Sequence, residues 1–207
     1  EPAVENAMRA ALGLEDGEVM TAEMAATIKT LTITGGDMLH GSLRGLEYCT
    51  GLESLTLENG KVEDLKYLKE LSNLKELHLA GNNVTDLSSI AGLTKLEVLD
   101  VSGNSGLADL ATLGSAATSL KELNVSDTSV VNLGALDSAV AGNLTKLSAN
   151  GNSIEDISSV AAMTKLTYLD LGNNNISVIP DLSDLPIASS SDLKLDGNNL
   201  NTLNALL

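Results

Sequence analysis

The chain has 207 residues, among them 39 Leu, no Phe, no Trp and three Tyr (Tyr48, Tyr67 and Tyr168), so its apolar volume rests almost wholly on aliphatic side chains. The apolar fraction of 43% against 19% charged excludes a disordered chain, and no apolar run approaches the ~18 residues of a membrane span. The formal charge of −16 argues against nucleic acid and against an anionic lipid surface, because both are held mainly through Lys and Arg.

The first 27 residues carry no repeat. Residues 3–13 read as an amphipathic helix with Val4, Met8, Ala11 and Leu12 on one face and Gly13 as its stop. Thr21 is placed to cap a second short helix over residues 22–25. From Ile28 onward a pattern L-x-x-L-x-L-x-x-N-x-L recurs. Its clearest copy runs Leu74, Leu77, Leu79, Asn82, Val84, and copies begin at Ile28, Leu52, Leu74, Leu96, Leu120, Leu144, Leu166 and, degenerately, Ser190. The spacings are 22 or 24 residues. Within L-x-L the period is two, so both Leu point inward from a short strand, and one strand per coil stacks in parallel.

The Asn at the ninth position turns the chain out of the strand, and its amide can satisfy backbone groups of neighbouring coils. Asn82, Asn104, Asn152, Asn174 and Asn198 hold this place as a structural ladder; Gly36, Gly60 and Thr128 replace it, which predicts a ladder broken at three coils. The return segments are too short for full helices and predict 3-10 turns or extended backbone on the convex side. The repeat resembles the leucine-rich repeat. The implied fold class is an α/β leucine-rich-repeat solenoid, with a curved parallel sheet on the concave face. Two segments follow: a helical cap over residues 1–27 and a repeat domain of about eight coils over residues 28–207. A cap is needed because the first coil would otherwise expose its core. The chain begins at Glu1-Pro2 rather than Met and stops inside a repeat, which reads as a processed or trimmed product whose natural form continues.

The lead-in "GLEDGEVMTAEMAATIKTLTI", with "GLEYCTGLESLTL" and "DLSSIAGLTKLEVLDVSGN", is similar to the cap and coils of bacterial internalin-like surface proteins. That resemblance implies an exported protein at the cell surface that binds a protein or carbohydrate ligand with its concave face. The 24-residue coils and the missing Asn residues depart from the tighter internalin pattern.

No catalytic motif is present: there is no nucleophile elbow, phosphate loop, zinc-binding H-E-x-x-H or paired cysteine, so no enzyme, metal or cofactor is expected within the chain. Acidic turns such as residues 181–184 lack the dense oxygen spacing of a calcium loop. Cys49 is the lone cysteine and reads as a small buried hydrophobe. Sequons at Asn83, Asn124, Asn143 and Asn175 arise from the repeat itself. His40 falls in the first return loop. His78 lies between Leu77 and Leu79, hence on the concave surface. The outward middle column reads Thr32, Thr56, His78, Asp100, Asn124, Ser148, Asp170, Lys194, and Tyr168 is the aromatic of the flanking column. The candidate ligand face is therefore His78, Asp100, Asn124, Tyr168 and Asp170, centred on the one ring of a kind that anchors interfaces. The alternatives are a cytosolic repeat-protein regulator, or a targeting module of a larger protein.

Overall fold

The computed structural model describes residues 2–34, 41–136 and 142–200. Helix α1 (Pro2–Leu12) and the short α2 (Ala22–Ala25) precede eight strands: β1 (Thr30–Thr34), β2 (Ser54–Glu58), β3 (Glu76–His78), β4 (Val98–Asp100), β5 (Glu122–Asn124), β6 (Lys146–Ser148), β7 (Tyr168–Asp170) and β8 (Leu193–Lys194). They form one parallel sheet in sequence order. The register puts Leu31, Leu55, Leu77, Leu99, Leu123, Leu147, Leu169 and Leu193 in one row, so each coil stacks the same Leu on the next, buried as far as Leu169 and partly buried at Leu193. Return segments form 3-10 turns at Leu46–Tyr48, Lys66–Leu68, Ser88–Ile90, Ala111–Ser119 and Ser158–Ala162. This is a leucine-rich-repeat solenoid with a helical N-terminal cap.

The cap closes the first coil through α1, which buries Ala3, Val4 and Met8. Ala11 is exposed and Ala3 takes its place on the buried face, a correction to the helical reading. A small Ala carries too little area to fix which face of a helix turns inward, whereas Val4 and Met8 do. Gly13 stops the helix at φ +66°, and Leu14 N–H returns to Arg9 O. Thr21 caps α2 by accepting the Met24 N–H through its hydroxyl. Two glycines let cap and first coil approach. Gly45 has φ +111°, and a Cβ there would meet Val4 Cγ1 at 3.2 Å; a Cβ at Gly51 would lie 2.2 Å from Ala26 O.

The Asn side chains run along the turn that follows the strands. Asn104, fully buried, donates to Val101 O of its own coil (2.8 Å) and to Leu79 O of the preceding one (2.9 Å), and accepts the Val84 N–H (2.8 Å). Asn82, Asn174 and Asn198 repeat this set on Leu57, Ala149 and Leu171 of the coil before. Asn152 donates to Val125 O and to Ala149 O, but accepts from the backbone and hydroxyl of Thr128.

Thr128 breaks the ladder toward the preceding coil, as the sequence predicts, but keeps a link to the following coil through Asn152. Its hydroxyl lies 2.9 Å from Val125 O and 2.8 Å from Asn152 Oδ1. A hydroxyl has one hydrogen where an amide has two, so Thr128 can donate to Val125 O or share that hydrogen with Asn152 Oδ1, and it leaves out Val101 O. At Gly60 the backbone N–H alone reaches Asn82 Oδ1. Gly36 and His40 lie outside the described residues.

A second periodic device follows the strands. Asp64, Asp86, Asp109, Asn132, Asp156 and Asp181 each accept the N–H two residues on, opening the return segment of their coil. The Lys66 ammonium at Asp64 and the Ser88 hydroxyl at Asp86, with the backbone bonds second, and the backbone bonds first at Asp156 and Asp181, hold these carboxyl groups below the ordinary 3.8. Five of the 28 acidic residues thus shape turns.

Candidate ligand face

The parallel register carries the middle column in one row, from Thr32 through His78, Asp100, Asn124, Ser148 and Asp170 to Lys194. Its side chains alternate with the buried Leu row and so stand on the open face of the sheet. Four of the five candidate residues line one shallow depression of about 230 Å³: His78, Asp100, Asn124 and Tyr168. Glu122, Lys146 and Ser148 complete its polar lining. These three belong to the outward columns, but column membership alone does not select them. The depression runs diagonally across the strands, and the adjacency Glu122↔Lys146↔Tyr168 in the register is the signal that would have found it. Asp170 does not line it and stands beside Tyr168 at its rim.

Local hydrogen bonding fixes these side chains. Asp100 Oδ1 accepts the Ser102 N–H (2.9 Å) and hydroxyl (2.6 Å), and Oδ2 accepts the Asn124 amide (3.1 Å). Asn124 Oδ1 and Asp170 Oδ1 accept the N–H two residues on, at Ser126 and Gly172. So Asp100, Asn124 and Asp170 end their strands as well as decorating them.

Burial pushes the Asp170 carboxyl up. The Gly172 N–H, the Asn150 amide and Lys194 outweigh it and hold the group below its ordinary range. Lys194 Nζ donates to Tyr168 Oη at 2.9 Å and lies 5.2 Å from the ring centre, so the ring edge and rim carboxylate are fixed together. Glu122 and Lys146 pair at 2.8 Å, half-exposed. The His78 imidazole has no hydrogen-bond partner among the described residues, which leaves its ring nitrogens open to a ligand.

The face is preorganised and polar, with one ring. Among the described residues no group of three His, Cys, Asp or Glu side chains is placed to hold a metal ion, and no helix is long and apolar enough to cross a membrane. Cys49 is fully buried and free, and burial, reinforced by Glu47, pushes its thiol up to about 11.

The solenoid, its Asn ladder and its single open sheet face define a leucine-rich-repeat protein, and the family profile "Leucine Rich repeats (2 copies)" matches residues 72–115 and 142–187. Among solved structures, the chain is similar to internalin C2 of Listeria monocytogenes, with 28% identity and a TM-score of 0.89, covering 100% of this chain and 88% of that one. It is likewise similar to internalin inlF of the same species, with 28% identity and a TM-score of 0.78 over 99% of this chain and 65% of that one. A leucine-rich-repeat protein of Leptospira interrogans shares the fold at 23% identity and a TM-score of 0.74, over 91% of this chain and 48% of that one. No curated protein sequence matches significantly. The chain has the leucine-rich-repeat fold and is similar to the Listeria internalins. The fold is that of a protein-binding module.

Proposed function

We propose that this chain is the non-catalytic binding module of an exported bacterial protein, and that it takes a protein ligand on the concave face at the depression between His78 and Tyr168. The observation that supports this most is the convergence of His78, Asp100, Asn124 and Tyr168, from four different coils, on one depression. A ring at the edge of a site already fixed by hydrogen bonds loses little conformational freedom on binding. A protein ligand fits better than a glycan, since Tyr168 is one ring and sugar binding by stacking favours an aromatic platform. Likeness to the Listeria internalins supports export and surface display.

The test is a screen of an arrayed library of extracellular protein domains and of a glycan array, followed by comparison of variants on every hit. The proposal expects hits among proteins, with Tyr168→Ala weakening them by about 1–2 kcal/mol and Ser88→Ala, on the convex turn, leaving them unchanged. Hits confined to glycans, or protein hits indifferent to Tyr168, contradict it.

A further inference from the structure

A concavity of about 460 Å³ lies away from the sheet face, where the cap meets the first convex turn. Its apolar lining comes from Val4 and Met8 of α1, Met20, and Ala25 of α2. Tyr48, on the 3-10 turn Leu46–Tyr48, stands at its side and is 53% exposed. Val19, next to Met20 in the chain, is 80% exposed. The volume lies within the range of a binding cleft, ~300–1,000 Å³. Methionine is the side chain that best adapts to an incoming apolar group, and tyrosine is enriched among residues that dominate interface energy. The solenoid needs Val4, Met8 and Ala25 buried to close its end, but closure does not require an exposed Tyr48 or Val19 beside them.

Charge selects the occupant. Glu5 and Glu47 line the groove against one cation, Arg44. The adjoining cap adds Glu15, Asp16, Glu18 and Glu23 against Arg9, whose guanidinium is engaged by the carbonyls of Glu15 and Glu18. Glu5 and Glu23 form no ion pair among the described residues. A second copy of a chain of net charge −16 would bring like charge to this acidic rim, and an anionic membrane would do the same.

We infer that the groove between α1, α2 and the Leu46–Tyr48 turn is a second docking site, separate from the concave face, for a cationic amphipathic segment of a partner protein. Two or three apolar side chains of that segment enter between Met8, Met20 and Tyr48, and flanking Lys or Arg side chains meet Glu5 and Glu47. The site is independent of the concave-face reading and would stand if that reading failed.

Methionine-methyl NMR on the whole chain tests it, because Met8 and Met20 report the groove while Met163, fully buried in a later coil, is the internal reference. The probes are a Leu/Lys amphipathic helical peptide of about 18 residues, its Leu/Glu counterpart, and a scrambled Leu/Lys sequence. The expected result is saturable shifts of Met8 and Met20 but not Met163 with the Leu/Lys helix. Its affinity should fall about tenfold or more in Tyr48→Ala and in Met20→Lys. It should also fall on raising salt from ~0.05 to ~0.5 M, and Tyr168→Ala should bind like the unaltered chain.

Several results overturn the proposal. Met8 and Met20 could stay unmoved, the Leu/Glu or scrambled peptide could bind as tightly, or both groove variants could bind unchanged. Shifts of Met8 and Met20 on raising protein concentration without peptide would assign the groove to a second copy and overturn it as well.

Discussion

Replacing Asn104 with Ala removes a fully buried amide that joins two coils. Three bonds under 3 Å are lost, to Val101 O, Leu79 O and Val84 N–H. Leu79 O retains the Asn82 amide at 2.9 Å, so that acceptor stays paired. The Asn104 carbonyl is the hydrogen-bond partner of the Val84 N–H, and no water reaches a site of zero exposure. Leaving a buried donor unmet costs ~1–3 kcal/mol, and each net bond lost adds ~1 kcal/mol. The expected total is about 3 kcal/mol.

The comparison variant is Asn198→Ala. It removes the same pattern of bonds where the side chain is only partly buried and water can substitute, so about 1 kcal/mol is expected. Urea unfolding followed by far-ultraviolet circular dichroism measures both. At a slope of ~3 kcal/mol per molar, Asn104→Ala moves the midpoint down by about 1 M. A loss under ~1 kcal/mol for Asn104→Ala, or equal losses at both positions, refutes the claim that the buried ladder links the coils energetically.

The same reasoning orders substitutions at Thr128: Thr128→Val costs about 1 kcal/mol, because Val125 O keeps the Asn152 amide and Asn152 Oδ1 keeps the Thr128 N–H, while Thr128→Asn is at least as stable as the natural residue. Differential unfolding of the pair checks this order. Lowered carboxyl groups at Asp64, Asp86, Asp156, Asp170 and Asp181 contribute stability that is complete above the ordinary 3.8 and is lost as pH falls through their lower folded values. With Glu53 also lowered, from 4.5, by its bonds to Lys75 and Lys29, the thermal midpoint should fall progressively as pH drops below 4.5. Because Asn132 already serves the same turn, Asp86→Asn combined with Asp156→Asn should keep the turns, lower the neutral-pH midpoint slightly and flatten the acid loss; an unflattened profile counts against the assignment. Cys49, buried with its thiol near 11, should react with a disulfide reagent at pH 8 only as fast as the protein opens, and instant labelling of the native chain would contradict that burial.

The period-two Leu pairs were legible because every coil repeats them in register, and a row such as Leu31 to Leu193 needs no tertiary information. The same holds for the middle column, whose members follow from the Leu on either side. What composition hid was the second use of each polar residue. Nothing in the spacing of Asp100, Asn124 or Asp170 announces that the side chain bends back to the N–H two residues on, because that bond depends on a strand ending there. Thr128 shows the same limit from the other side: a missing Asn reads as a gap, while a hydroxyl at the right height still supplies a donor. The cap groove was illegible because residues 4–8, 20–25 and 44–48 share no period and meet only once the cap folds over the first coil.

The central claim is that the concave depression holds the ligand, and affinity of Tyr168→Ala for any protein found by the domain screen tests it most directly. The account predicts about 5- to 30-fold weaker binding with the thermal midpoint unchanged, while Tyr48→Ala binds as the natural chain does. Equal affinity of Tyr168→Ala and the natural chain, with the fold intact, would contradict it.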